Sequence, residues 1–298
     1  MVNKTLKDWL KNTFTTKEIN LIPQKYLDRK IILKEVKNIN SYILKCEEKS
    51  KFFKVSGQHR KNDWEKGWSG DGVYYSNDDY NNLPYYFKKN KYIRLDGKIF
   101  KDENGFAEVD FLRALQLVIF KTYLPLIKSS NIIEYGCGTG KNIQFLKENL
   151  SKRYNFFGSD WANSANKKLI ENGILKKESV FEVNFFDKNS FKAPSNPYIA
   201  FTNASLEQTG NNYQEFMNFL FSDKLCEFGI HIEPIRELLD ISNPLNYQSF
   251  KYEEKRGYLE NFMRYLYEKD FKIKLAKDFG IGSSFLSGYQ VVVWGKNE

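Results

Sequence analysis

The sequence predicts an α/β fold organised on a mainly parallel sheet, and three observations carry that prediction. From residue 131 onward, short apolar runs of strand type alternate with segments of helical periodicity, the rhythm of parallel strands joined by right-handed crossovers. A glycine cluster, Gly136, Gly138 and Gly140, falls between the first of these strands and the helix after it. Two aspartates, Asp160 and Asp187, are predicted at the ends of the next two strands, where ligands bind in sheets of this kind.

Residues 1–55 carry helical patches, Leu6, Trp9 and Leu10 and later Leu27 and Ile31, in a lysine-rich background, which predicts short helices. Between 57 and 105, Gly57, Gly67, Gly70, Gly72 and Gly97 interrupt an aromatic-rich run, a composition of loops and short strands. Phe111, Leu112, Leu115, Ile119 and Tyr123 recur at helical spacing, so a long amphipathic helix is predicted over 107–127. Strands then follow at 132–135, 155–160, 180–186, 198–202 and 225–232, with helices at 142–150, 164–171 and 213–221. The end departs from this rhythm, with a helix over 252–267, a strand at 271–275, a turn through Gly280, Gly282 and Gly288, and a strand at 289–294 that closes a hairpin. The chain thus divides into an N-terminal extension, 1–105, helical and then loop-rich, and a sheet domain, 106–298.

At 298 residues, with 41% hydrophobic and 16% aromatic residues, the chain can bury a sizeable core, which excludes a disordered polyelectrolyte and a disulfide-stapled miniature fold. No run approaches the roughly 18 consecutive apolar residues that cross a bilayer, and the first residues lack the apolar core of a secretion signal, so a soluble, cytoplasmic protein is expected. Cys46, Cys137 and Cys226 are widely spaced and form no Cys-x-x-Cys pair, the pattern of reduced thiols. The net charge of +9 belongs to residues 1–130, which hold 25 Lys and Arg against 16 Asp and Glu. Such an excess suits phosphate-bearing partners. Scattered lysines read first as a solvated face, however, and nucleic acid is not the expected partner.

The segment Glu134-Tyr135-Gly136-Cys137-Gly138-Thr139-Gly140 carries the most chemistry. Glycines at alternate positions let the chain turn tightly and let a ligand approach the backbone with no Cβ in the way. Asp160, twenty residues beyond Gly140, can accept hydrogen bonds from both hydroxyls of a ribose, and Asp187 beside Phe186 stands where adenine recognition is expected. Dinucleotide enzymes favour Gly-x-Gly-x-x-Gly, whereas the spacing here is Glu-x-Gly-x-Gly-x-Gly, and the Lys-Ser/Thr ending of an ATP phosphate loop is missing.

On these residues the chain, over about 131–298, resembles the class I S-adenosylmethionine-dependent methyltransferases. The resemblance implies a Rossmann-like, mainly parallel seven-stranded sheet with an antiparallel C-terminal strand, S-adenosylmethionine (SAM) as cofactor and S-adenosylhomocysteine (SAH) as product. It places Glu134, Gly136, Cys137, Gly138 and Gly140 around the methionine part and ribose. Asp160 falls on the ribose, Phe186 and Asp187 beside the adenine, Trp161 over the adenine face, and Asn203 at the cofactor after the fourth strand. Cys137 reads as a small buried neighbour rather than a nucleophile.

Methyl transfer asks mainly for alignment, which contributes roughly 7–11 kcal/mol in well-oriented reactions. A base for a hydroxyl acceptor adds roughly 10²–10⁴ in rate. His231 and Glu233, two apart in a strand, share a face and are expected to point into the cleft, with His231 the leading base and Glu207 the runner-up. A divalent metal on His231, Glu233 and Glu207 is a lesser alternative, and no metal is predicted. Asn196-Pro197-Tyr198 looks like the motif of amino-directed nucleic-acid methyltransferases, but it precedes the fourth strand instead of following it and reads as a turn.

The acceptor is expected on the extension, where Trp64, Trp68, Tyr74, Tyr75, Tyr85 and Tyr86 offer stacking faces and Arg94 or Lys88 a phosphate contact. Trp-x-x-x-Trp, the Leu-Glu-Gln segment and His-Ile-Glu-Pro are also similar to bacterial methyltransferases of surface-polysaccharide pathways. The expected function is an O-methyltransferase acting on a sugar hydroxyl in a nucleotide- or lipid-linked glycan precursor. The rivals are an RNA or DNA methyltransferase using the basic N-terminal region, and a non-catalytic cofactor-binding scaffold.

Overall fold

The computed structural model describes residues 1–69, 91–103 and 105–296, with the backbone alone at 73–74 and 83–84. Strands β1 (Val2–Thr5) and β2 (Lys30–Glu35) flank three short helices, α1 (Leu6–Leu10), α2 (Thr16–Ile19) and α3 (Gln24–Leu27). Helices α4 (Ile39–Ser50) and α5 (Lys61–Ser69) follow, then the short pair β3 (Val73–Tyr74) and β4 (Leu83–Pro84) and the hairpin β5 (Tyr92–Leu95) and β6 (Lys98–Asp102). Helix α6 (Ala107–Tyr123) leads into the alternating part: β7 (Asn131–Tyr135), α7 (Lys141–Asn149), β8 (Asn155–Asp160), α8 (Asn163–Glu171), β9 (Val180–Glu182), β10 (Tyr198–Asn203), α9 (Tyr213–Ser222) and β11 (Cys226–Glu233). The chain ends with α10 (Pro244–Arg256), α11 (Phe262–Glu268), β12 (Lys272–Asp278), β13 (Ile281–Gly282) and β14 (Gln290–Gly295).

The central sheet has seven strands in the order β12-β14-β11-β10-β7-β8-β9. β14 runs antiparallel to both of its neighbours, and the remaining pairs of this sheet are parallel. The strand order reverses direction between β7 and β10, which opens a crevice at their carboxyl ends. Alternate residues feed two cores, as strand geometry requires. Ile132, Ile199, Phe201, Ile230 and Val293 pack with α6 and α7, while Ile133, Tyr198, Ala200, Val292 and Trp294 pack with α9 and α11.

Three local expectations change. Residues 1–55 contain two strands as well as helices, because Ile31 and Leu33 alternate with exposed Lys30 and Lys34, a period of two within a lysine-rich stretch. β1 and β2 join β6, β5 and β13 in a second, antiparallel sheet, whose Ile281↔Leu95 pairing knits the extension to the C-terminal part. The helix expected over 252–267 is two helices, because Gly257 at φ 62° caps α10 and Asn261 at φ 56° starts α11. The strand expected over 180–186 stops at Glu182, since the Asn184 side chain accepts from Phe186 N–H and folds the chain into a turn.

Candidate active site

β7 ends at Tyr135, and the chain turns through three glycines of positive φ before α7 begins. A Cβ on Gly136 would lie 2.4 Å from that of Ser205, so the loop packs tightly against the turn after β10. Ser205 Oγ donates to Tyr135 O at 2.9 Å and locks the same contact. A Cβ on Gly138 would meet the Trp68 ring at 2.9 Å, so α5 lies over the loop. Gly138 N–H donates to Asp160 Oδ2 at 3.0 Å and Ala162 N–H to Oδ1 at 2.9 Å, which fixes the carboxylate at the end of β8. Burial raises this carboxyl from 3.8 to about 6, against the pull of those backbone donors.

A buried polar chain runs behind the loop. Glu134 Oε1 accepts from Asn142 Nδ2 at 2.6 Å, and Gln116 Nε2 donates to both Asn142 Oδ1 at 3.0 Å and Asn203 Oδ1 at 3.1 Å. The sequence reading missed Gln116; its only signal is a lone amide among the apolar positions of α6. Glu134 Oε2 and Gln116 Oε1 are buried acceptors that no described donor reaches. Burial pushes Glu134 up from 4.5 to about 8 and holds Lys141, at the start of α7, well below the usual lysine range.

Glycine loop, Asp160 and Asn203 line one cavity of about 460 Å³. Its walls include Trp161 and Phe186, whose rings lie 5.5 Å apart at 32° and present aromatic surface next to Asp160. Cys137 also lines it, with burial driving its thiol well above the ordinary range, so it is no nucleophile. Asp187 is a correction: it is exposed, caps a short turn by accepting from Asn189 N–H at 3.0 Å, and is not part of the cavity wall.

From the extension, Trp64 and Trp68 reach the cavity as a stacked pair 6.0 Å apart. Glu65 anchors their helix by accepting from Ser164 N–H at 2.9 Å, at the start of α8. Tyr75, Tyr85, Tyr86 and Lys88 lie outside the described residues, as does the side chain of Tyr74. Arg94 is a second correction. It is buried and donates to Leu245 O, Ser249 Oγ, Ser287 Oγ, Ser284 O and Gln248 Oε1, a strut between β5 and α10 rather than a phosphate contact.

His231 is the third correction. It is fully buried on the α9/α11 side of β11. Trp294 Nε1–H donates to its Nε2 at 2.9 Å, so the ring proton sits on Nδ1 and donates to Thr202 Oγ1 at 2.9 Å. Both nitrogens are committed, and burial lowers the imidazole from 6.5 to about 3. The fold thus binds fewer protons than the unfolded chain between about pH 3 and 6.5, and stability from this site is lost as pH falls below 6.5. His231→Ala is expected to cost about 3 kcal/mol of stability by stranding the Trp294 donor and the Thr202 acceptor and opening a cavity. SAH affinity of the folded variant should stay within twofold of the parent. Chemical denaturation together with calorimetry checks both.

Glu233, the fourth correction, is also buried outside the cavity, where its carboxyl accepts from the N–H groups of Ser205, Leu206 and Glu207 at 3.0–3.3 Å. Burial first, then the charge of Glu207, raises it well above the glutamate range. Glu207 itself lines the cavity, with Gln208 Nε2 donating to Oε1 at 2.8 Å and Oε2 lacking a partner among the described residues. The metal alternative loses its imidazole, and among the described residues no three His, Cys, Asp or Glu side chains cluster to hold an ion. No described helix is long and apolar enough to cross a membrane.

The residues present fit the adenosyl part of a SAM-type ligand: aromatic surface for a purine and a fixed carboxylate for a ribose. No protein-family model and no curated protein sequence matches the chain. Among solved structures, the plantazolicin methyltransferase BpumL, in complex with a monoazolic desmethylPZN analog and SAH, overlaps 63% of this chain and 85% of its own at 16% identity and a TM-score of 0.45. A SAM-dependent methyltransferase from Anabaena variabilis overlaps 64% and 86% at 14% identity and 0.45. A putative RNA methyltransferase from Pyrococcus horikoshii overlaps 79% and 96% at 14% identity and 0.40. With identities and scores this low, function is read from the chain's own residues.

Proposed function

We propose that the chain is a SAM-dependent O-methyltransferase acting on a sugar hydroxyl, carried in a nucleotide- or lipid-linked glycan precursor in the cytoplasm. The observation that supports this most directly is a single cavity whose walls join the glycine loop and Asp160 to Glu207 and to the tryptophans of α5. Bound SAM supplies an electrophilic methyl group on a positively charged sulfur. Asp160 would accept from the ribose hydroxyls, and Trp161 and Phe186 would cover the purine.

The acceptor enters from the opposite wall, where Trp64, Trp68 and Tyr252 offer flat faces suited to a sugar ring. The extension 1–105 acts as its cap. Glu207 takes the proton of the acceptor hydroxyl, and Glu233 holds the Ser205–Glu207 turn that carries it. Labelled methyl transfer into fractionated cell extract, read by mass spectrometry, tests the reading. Label in a phosphate-bearing glycan precursor supports it, and label confined to RNA or DNA would replace the acceptor.

The same site predicts a pH dependence. The hydroxyls of a ribose donate to an ionised carboxylate, so binding competes with the proton that Asp160 takes up near pH 6. Without ligand, the raised carboxyl lowers stability as pH climbs from about 4 through 6, since the fold there binds more protons than the unfolded chain. SAH affinity is expected to be level above pH 7 and to fall by up to about tenfold per unit below pH 6. Calorimetry from pH 5 to 8 measures it, and a flat profile would remove Asp160 from the ribose.

A further inference from the structure

We propose that a second chamber, beside the candidate active site, holds a phosphate group of the acceptor on Arg60 and Arg256. The inference rests on the methyltransferase reading above and names the chemistry that the acceptor must carry. The chamber, of about 380 Å³, is lined in part by Phe53, Arg60, Trp64, Trp68 and Arg256, and the same five residues line the inner cavity. One ligand can therefore occupy both spaces, with one group in each.

The charges of this chamber favour an anion. Lys54, Arg60 and Arg256 face it against one carboxylate, Asp63. Asp63 is shared by Lys54 at 2.9 Å and by Arg60, whose contact with it is made through Nε at 3.0 Å. Arg256 makes no ion pair with any described carboxylate in the way Arg60 does; its Nη1 donates to Tyr252 Oη at 2.8 Å. Its guanidinium lies over the rings of Phe53, Tyr252 and Tyr258 at 5.9, 5.7 and 5.1 Å, and its Nε is buried without a partner among the described residues. Two guanidinium groups held by aromatic surfaces, in a chamber where one carboxylate faces three cations, match a phosphate rather than a neutral sugar.

The placement also serves the reaction. Arg256 lies close enough to Glu207 to feel its charge, and both line the inner cavity. A phosphate on Arg256 would therefore set a hydroxyl of the attached ring into the cavity that Glu207 lines, while Trp64, beneath Arg60 at 5.7 Å, offers a face to that ring. The phosphate can belong to a soluble nucleotide sugar or to a lipid-linked one, and the shared chemistry is a sugar phosphate ester.

Calorimetric titration of the full chain with UDP-glucose, glucose 1-phosphate, methyl glucoside and a polyprenyl-phosphate glucose in detergent micelles tests the proposal, alongside SAH. The phosphate compounds are expected to bind at least tenfold more tightly than methyl glucoside. Arg60→Gln and Arg256→Gln should each weaken them at least tenfold while SAH affinity changes less than twofold. Tighter binding of the micellar ligand assigns the phosphate to a lipid, and tighter binding of UDP-glucose assigns it to a nucleotide. If loss of the Tyr252 contact unfolds Arg256→Gln, Arg60→Gln carries the test alone. Equal binding of methyl glucoside, undiminished binding by the variants, or no binding of any phosphate ester overturns the proposal. Failure of the parent protein to bind SAH would instead strike the methyltransferase reading, whatever the phosphate results.

Discussion

Glu207→Gln is expected to lower methyl transfer about 10²–10³-fold while leaving SAH affinity within twofold, the loss typical of removing a positioned proton acceptor. The substitution keeps shape and retains an oxygen for the Gln208 contact, so the turn held by Glu233 should survive. What it removes is the acceptor at Oε2, the one oxygen of this residue that no described donor satisfies. Labelled-methyl kinetics decide this, and wild-type turnover in the variant would pass the role of base to another group.

Asp160→Ala is expected to weaken SAH binding at least tenfold, or about 1.4 kcal/mol. The side chain does two jobs: it accepts from Gly138 N–H, which shapes the glycine loop, and it offers the remaining lone pairs to a ribose. Asp160→Asn keeps one oxygen for Gly138 N–H but removes the charge and sets its NH2 against Ala162 N–H, and an intermediate affinity is expected. Circular dichroism guards against reading loss of fold as loss of contact. Unchanged calorimetric affinity in both variants would contradict the ribose assignment.

The alternating part of the chain was legible because its signals are local. β7 and β8 show as apolar runs, and a Gly-x-Gly-x-Gly turn between strand and helix is a backbone requirement written in residue type. His231 was misread because a polar residue in an apolar strand looks the same whether it faces a cleft or a satisfied core. The deciding fact is non-local: β14 inserts beside β11 and pairs Val292 with His231, bringing Trp294 Nε1 within reach of the imidazole. Arg94 failed likewise, because its five acceptors arrive from α10 and the turn before β14, some 150 residues or more away. Asp187 failed because β9 ends early, at Glu182, and the turn after it swings the carboxylate to the surface.

Gln116 marks the opposite limit. Its helix was anticipated, yet nothing in the sequence says that its amide would bridge Asn142 and Asn203 behind a ligand cavity. The acceptor wall was half legible: the tryptophans of α5 were named, while Tyr252, Tyr258 and Arg256 come from a region read only as a helix. Gly257 splits that region and turns the end of α10 toward Ser56, whose N–H donates to Arg256 O at 2.7 Å.

The central claim is that the turn over Gly136, Gly138 and Gly140 receives an adenosyl ligand held through Asp160. A crystal structure of the chain grown with saturating SAH tests it most directly. The account predicts density against that turn, the ribose hydroxyls on the Asp160 carboxylate, and the purine beside Trp161 and Phe186. An empty cavity under those conditions, or SAH bound elsewhere on the chain, would contradict it.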